Sequence, residues 1–181
     1  NMTSGNILTT GTNLLTIGTS TGAPGSLSWT GGTILGPLKR YYSGNADGTQ
    51  QAGIFPVGNS SYNRYARVNF TSANAVGSIT AQYISGLPFS AQDSGLPLTV
   101  NGQLIQNSEE EGFWSIAPET PDNTASYDLV LRGNNLTTPN GLGTLRIIKS
   151  AGHASWDNTG IGSHSGASGS SSDFTISNSG M

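Results

Sequence analysis

Residue types able to do chemistry are sparse in this chain, and their spacing limits what they can do. The densest acidic run is Glu109-Glu110-Glu111, followed by Gly112 and the Phe113-Trp114 pair. Two carboxylates can run glycoside hydrolysis, one as the acid and the other as base or nucleophile. Successive side chains on a strand point to opposite faces, so three consecutive Glu cannot all line one cleft; a solvated turn ahead of GFWSI is expected. The two imidazoles, His153 and His164, fall with Asp157 in GHASWDNTGIGSH. Two His and an Asp can hold a metal, but this spacing matches no helix or hairpin ligand signature. Neither His accompanies a G-x-S-x-G elbow with an acid partner, so the parts of a Ser-His-Asp triad are not marked. Both imidazoles are expected on surface loops. Zero Cys removes thiolate catalysis, disulfides and Cys-ligated metal. No catalytic residue is assigned, and the expectation is a protein that is not an enzyme.

Binding chemistry has two sequence candidates. In SGNADGTQ, Asn45, Asp47 and Thr49 stand at alternate positions with Gly48 turning the chain, an oxygen-rich loop of the kind that holds calcium. It lacks the later acidic residue of an EF-hand loop, and Asn-Ala-Asp-Gly is also an ordinary hairpin turn. Beyond that calcium, no cofactor is expected. The second candidate is a sugar platform of exposed rings, for which Trp29, Tyr41, Tyr42 and Trp156 are the leading residues, with Tyr62 and Tyr65 as further rings. Tyr41 and Tyr42 are consecutive, so one ring must face outward if the strand is regular. Aromatic residues are only 8% of the chain, however, and the core needs most of them. The five Arg, at 40, 64, 67, 132 and 146, are expected on the wet face, each beside an acid and adding little stability.

The elements that must position these residues are strands. Gly is 26 of 181 residues and charged residues are 9%, a balance suited to turns and short strands. A chain of this length buries roughly 70% of its unfolded surface, enough for one core without staples. In 64–70, Ala66, Val68 and Phe70 share one face while Tyr65, Arg67 and Asn69 share the other; ASYDLVLR alternates likewise. Further strands are expected at 33–42, 76–84, 98–106, 112–117, 143–149 and 172–177, each bounded by Gly, Pro, Asn or Ser. No twelve-residue window shows a capped helical period. In AGIFPVGNSSYNRYARVNF, Pro56 cannot donate to a ladder and biases Phe55 to be extended, so an edge or corner is expected, with Phe55 and Val57 entering the core. The Ser/Gly-rich stretch 161–173 reads as a flexible loop. Residues 6–35 carry apolar triplets between Gly-Thr and Gly-Ser turns, which suits edge strands or the last coils of a β-solenoid.

The fold expected is therefore all-β: one antiparallel β-sandwich domain over residues 1–181, with a solenoid-like or edge-strand segment at 1–35 and the sandwich proper at 36–181. A net charge of −3 with seven scattered cations offers no basic stripe, so nucleic acid is not an expected partner. No apolar run of about 20 residues suggests a membrane span. The first residues show no charged-then-apolar leader, so the sequence reads as a mature or excised segment. Low charge with abundant Ser, Thr, Asn and Gly leans extracellular.

An ordered series of segments spanning nearly the whole chain carries a family resemblance: TNLLTIG, GGTILGPLKRYY, GIFPVGNSSYNRYARVNF, GSITAQYI, SGLPLT, EEGFWSI, SYDLVLR, LRIIKS, SWDNTGIGSH and SSDFTIS. Together they resemble a module of large secreted and surface proteins of Bacteroidota exported by type IX secretion. The resemblance implies a β-sandwich in an adhesin-like chain, located outside the cell or on its surface, with no recognised catalytic residues. Two functions are expected from residues and resemblance together. The first is a structural or adhesive module whose partners are neighbouring domains or copies of the same protein. The second is a carbohydrate-binding module of a polysaccharide-active protein.

Overall fold

In the computed structural model, residues 1–44, 52–86, 94–137, 141–150 and 155–181 are described. Asn45, Asp47, Thr49 and His153 lie outside them.

Two-residue alternation builds two main sheets. In the first half of the chain are β1 (Asn6–Leu8), β2 (Leu15–Ile17), β3 (Thr33–Leu35), β4 (Leu38–Tyr41), β5 (Ala52–Phe55), β6 (Ala66–Phe70) and β7 (Ser78–Ser85). The second half supplies β8 (Leu98–Val100), β9 (Gln103–Ile105), β10 (Gly112–Pro118), β11 (Tyr127–Asn134), β12 (Ser168–Ser170) and β13 (Asp173–Asn178). One sheet runs β10-β7-β4-β2 and the other β12-β13-β11-β6-β5, with two-stranded ribbons β1-β3 and β8-β9 beside them. Pairing is antiparallel except for β1 with β3 and β2 with β4, which are parallel. The fold is all-β, with antiparallel sheets as in a β-sandwich.

One core joins the two sheets. Leu38, Ile79, Ala81 and Tyr83 from the four-stranded sheet share a cluster with Phe55, Val68, Phe70, Leu129, Leu131 and Ile176 from the five-stranded one. Tyr42 crosses between them, its ring edge-on to Phe70 at 5.0 Å. That ring also lies over Gly53, where any Cβ would run into it, so glycine is required by close approach. Phe55 and Val57 are fully buried as their alternation predicts, and β5 is the last strand of its sheet. Pro56 turns the chain there, and its carbonyl accepts the Ile34 N–H at 2.7 Å.

Several expected segments differ. The 33–42 stretch breaks at Gly36-Pro37, where Gly36 is left-handed (φ 127°) and Thr9 Oγ1 donates to Pro37 O at 2.8 Å. The 98–106 stretch is a hairpin, because Asn101 and Gly102 both take positive φ, as the two-residue turn requires. The strand expected over 143–149 is absent: Leu142–Thr144 forms a 3-10 turn after Gly141. Arg146 Nη1 then donates to the carbonyls of Gly143 and Leu145, and among the described residues this stretch makes one β-bridge, Lys149 with Asp157. Nor is 161–173 a free loop. Ser163 and Ser179 exchange backbone hydrogen bonds of 2.9 and 3.1 Å, and β12 folds onto β13.

Candidate functional site

The best-organised polar cluster is centred on Arg64, just ahead of β6. The turn before it is set by Asn59, whose Oδ1 accepts the N–H groups of Ser61 and Tyr62 at 3.0 and 2.8 Å. The returning chain pins the Arg64 N–H to Val57 O at 2.8 Å, which sends the side chain inward. It is only 2% exposed. Nε donates to Asn134 O at 3.0 Å, Nη2 to Asn135 O at 3.2 Å and to Glu111 Oε2 at 2.9 Å, and Nη1 to the Tyr83 hydroxyl. Its guanidinium lies over the rings of Tyr83 and Tyr62, 4.8 and 5.5 Å from their centroids. Trp114 closes the cluster: its indole N–H donates to Arg64 O at 2.6 Å and its ring meets Tyr83 edge-on at 5.3 Å.

Asn134 ends β11 of the five-stranded sheet and Asn135 follows it, whereas Tyr83 is on β7 of the four-stranded sheet and Glu111 directly precedes its β10. The guanidinium therefore clamps the sheets together. Glu111 is committed on its other side too, with Oε1 accepting from the N–H and hydroxyl of Thr137 at 3.2 and 3.0 Å. Burial raises the Glu109 carboxyl above the usual range; the hydrogen bond from the Glu111 N–H opposes this and the Glu111 charge reinforces it. Burial likewise raises the Tyr83 hydroxyl, opposed by the nearby Arg64 charge. These groups hold structure, and the acidic run is more than the solvated turn expected. Glu110 is exposed, but Glu111 reaches the buried cation.

Other chemistry-bearing residues also move from their expected places. Arg40 and Arg64 are buried, not on the wet face, because both stand at inward-facing positions; Arg40 Nη1 donates to Ile54 O at 2.9 Å. Arg132 does lie at the surface, gripping Asp173 through two contacts of 2.7 Å. His164 is buried, not a surface-loop residue: its Nε2 accepts the Ile147 N–H at 2.9 Å, and Nδ1 lies 3.1 Å from the Asn101 amide nitrogen. Burial pulls its pKa below the ordinary value; the hydrogen bond to Gly162 opposes that, and the Arg146 charge adds to it.

The four rings proposed as a sugar platform are dispersed in role. Tyr42 is fully buried against Phe70, and Trp156 is 9% exposed, so neither offers an open face. Trp29 is half-buried, its N–H bonded to Gly32 O at 3.0 Å and its ring edge-on to Tyr65. Tyr41 is half-buried with Lys39 Nζ 5.0 Å from its centroid, so it is the outward member of the Tyr41-Tyr42 pair.

Two surface features stand apart from these residues, the second of them the edge segment expected over 1–35. A shallow groove of about 240 Å³ on the outer face of β6, β11 and β13 is lined by Arg67, Asn69, Asp128, Ser177 and Ser179. The Asn69 Oδ1 there is buried without a hydrogen-bond partner among the described residues. The other is the N-terminal edge. β1 and β2 each end their sheets, and Ile7, Leu8 and Leu14 on this segment are 40, 76 and 36% exposed. Residues 1–38 contain no Asp, Glu, Lys or Arg. Among the described residues no three His, Asp or Glu side chains converge as a metal-holding group, and no helix is long and apolar enough to cross a membrane. Comparison of the chain with protein-family models, with curated proteins and with solved structures gave no match.

Proposed function

We propose that this chain is a non-enzymatic structural or adhesive module of a large bacterial surface protein or fibre, working outside the cell. The observation that supports it is the N-terminal edge. Proteins that stay separate blunt such edges with charge, proline or a covering segment. Here the edge strands are uncharged, and three exposed aliphatic side chains lie on or beside them, which suits a module set among neighbouring domains or copies. The buried cations fit the same reading, since Arg64 and Arg40 are spent on joining strands. The type IX exported modules that the sequence resembles have this character.

Antibody fragments raised against the sandwich test the location. Labelling of intact cells of the source organism is the expected result, and labelling only after lysis would overturn the proposal. A second reading, a carbohydrate-binding module, is favoured by the groove of Arg67, Asn69, Asp128, Ser177 and Ser179, whose donors and acceptors suit sugar hydroxyls. Electrophoresis through gels containing a polysaccharide panel separates the two. Retardation abolished by Asp128→Ala and Arg67→Ala would move the conclusion to sugar binding.

A further inference from the structure

The N-terminal segment is a coil repeated once within the chain. Parallel pairing sets Met2 on Trp29, Asn6 on Thr33, Ile7 on Ile34 and Leu8 on Leu35, each pair 27 residues apart. Aligned this way, MTSGNIL lies over WTGGTIL, with Thr, Gly, Ile and Leu repeated at matching positions. The backbone repeats as well. Gly5 and Gly32 share a left-handed conformation, with φ of 80° and 88°. Hydrogen bonds run along the whole coil: Met2 N to Ser28 O at 2.9 Å, Thr33 N to Gly5 O at 3.0 Å and Thr9 N to Leu35 O at 3.1 Å. The following strand of the same coil also pairs in parallel, Leu15 on Leu38, but with a 23-residue offset.

The stack is closed at one end and open at the other. Ile34 lies between Ile7 and a parallel bridge to Val57, and both Ile34 and Val57 are completely buried. Ile7 continues that ladder yet is 40% exposed. A Cβ on Gly32 would meet Gly5 O at 2.6 Å, whereas a Cβ on Gly5 would meet nothing within 4 Å. Among the described residues, the space taken by the first coil over the second is thus vacant over the first. Three of the four large exposed apolar side chains among the described residues, Ile7, Leu8 and Leu14, lie on this one coil.

We infer that this face receives a further β-coil of the pattern apolar-Thr-x-Gly-x-Ile-Leu, stacked in parallel on β1 and β2. The inference rests on the structural-module reading and names the partner of its edge. Direction selects the occupant. Two copies meeting edge to edge about a two-fold axis would pair β1 with β1 antiparallel, and would break the in-register ladder of Ile on Ile. The other side of the coil, which a head-to-tail copy would need, is covered by the Val57 segment. Shape and hydrogen bonding on the open side continue the ladder already built between β1 and β3.

The test adds a second copy of residues 1–27 ahead of the complete chain. A scrambled extension of the same composition is the control, and each form is made with and without Ile7→Lys. Thr9 N–H points to β3, so alternation along a parallel strand turns the Leu8 N–H to the open side. Amide hydrogen exchange at Leu8 should slow at least tenfold in the extended chain, with a raised Tm, and both effects should vanish with Ile7→Lys. The scrambled extension should leave Leu8 unchanged. Exchange at Leu8 that is unaltered by the repeat, or equally slowed by the scrambled control, would overturn the inference. So would a dimer of the unextended chain that Ile7→Lys dissolves while the repeat gives no protection. The readout is independent of cellular location and sugar binding, so stacking without surface labelling would defeat the functional reading alone.

Discussion

Replacing Arg64 by Met keeps most of the aliphatic volume and removes the guanidinium from a site that is 2% exposed. The loss leaves two backbone carbonyls, Asn134 O and Asn135 O, and the Tyr83 hydroxyl without their donor. Hydrogen bonds to a charged group contribute about 1.5–3 kcal/mol each, and breaking a buried pair from one side costs about 3–5 kcal/mol in total. The lower part of that range applies, because the Glu111 side chain is 37% exposed and keeps its bonds from Thr137. A loss of about 3–4 kcal/mol corresponds to a fall in Tm of roughly 6–16 °C for a domain of this size. Urea denaturation followed by tryptophan emission measures it, with Trp114 as a local reporter because its indole N–H binds Arg64 O. Glu111→Gln retains acceptor geometry and removes a partly solvated charge, so it should cost less than Arg64→Met. In the double variant the two losses should fall short of their sum, since the two side chains are in direct contact. If Arg64→Met changes stability by under about 0.5 kcal/mol, as for an ordinary surface arginine, the clamp between sheets is refuted.

His164 gives a pH signature. Its folded pKa is depressed by burial, so the unfolded chain takes up the proton first; stability should be level above the ordinary pKa of 6.5 and fall as pH drops below it. Thermal melts between pH 7.5 and about 5 check this, and His164→Gln, which can still accept the Ile147 N–H, should flatten that limb. Asp122 acts in a lower window. Its carboxylate accepts the Thr124 hydroxyl first of all, then the N–H groups of Ala75, Thr124 and Ala125, which together hold its pKa down to about 2. The stability it confers is present above the ordinary value of 3.8 and is lost as pH falls from there toward 2. NMR titration of the carboxyl should give that depressed value, and Thr124→Val should raise it.

Most of the sandwich was legible because its strands are wet on one face, so apolar residues mark alternate positions. Val68 and Phe70 on β6, and Leu129 and Leu131 on β11, are buried where that period puts them. Legibility failed where a polar side chain stood at an inward position. Arg40 follows Leu38 on the same face of β4, and its charge was read as exposure although the period already pointed inward. Arg64 and Glu111 are 47 residues apart, and nothing local to either announces the other. His164 stands among Ser and Gly in sequence, yet its ring is held by the Ile147 N–H and Asn101, 17 and 63 residues away. The N-terminal coil was visible only as turn-separated triplets. Its repeat emerges when 2–8 is laid on 29–35, an offset the parallel register supplies.

The coil and the sandwich meet on β4 and at Val57, and the type of pairing changes there. β4 takes β2 in parallel on one side and β7 antiparallel on the other. Val57 bridges Ile34 in parallel directly after β5, which is antiparallel to β6. Sandwich residues thereby pair directly with the coil, β4 with β2 and Val57 with Ile34. The ladder Val57, Ile34, Ile7 goes from full burial to 40% exposure in the direction from sandwich to coil. Each added coil would bury the aliphatic side chain of the one before it and present its own, so the aliphatic ladder sets no fixed number of coils. A lone antiparallel sandwich has no need of such an edge. Among the described residues the stack ends uncharged at β1, which is the edge on which the inferred coil would lie.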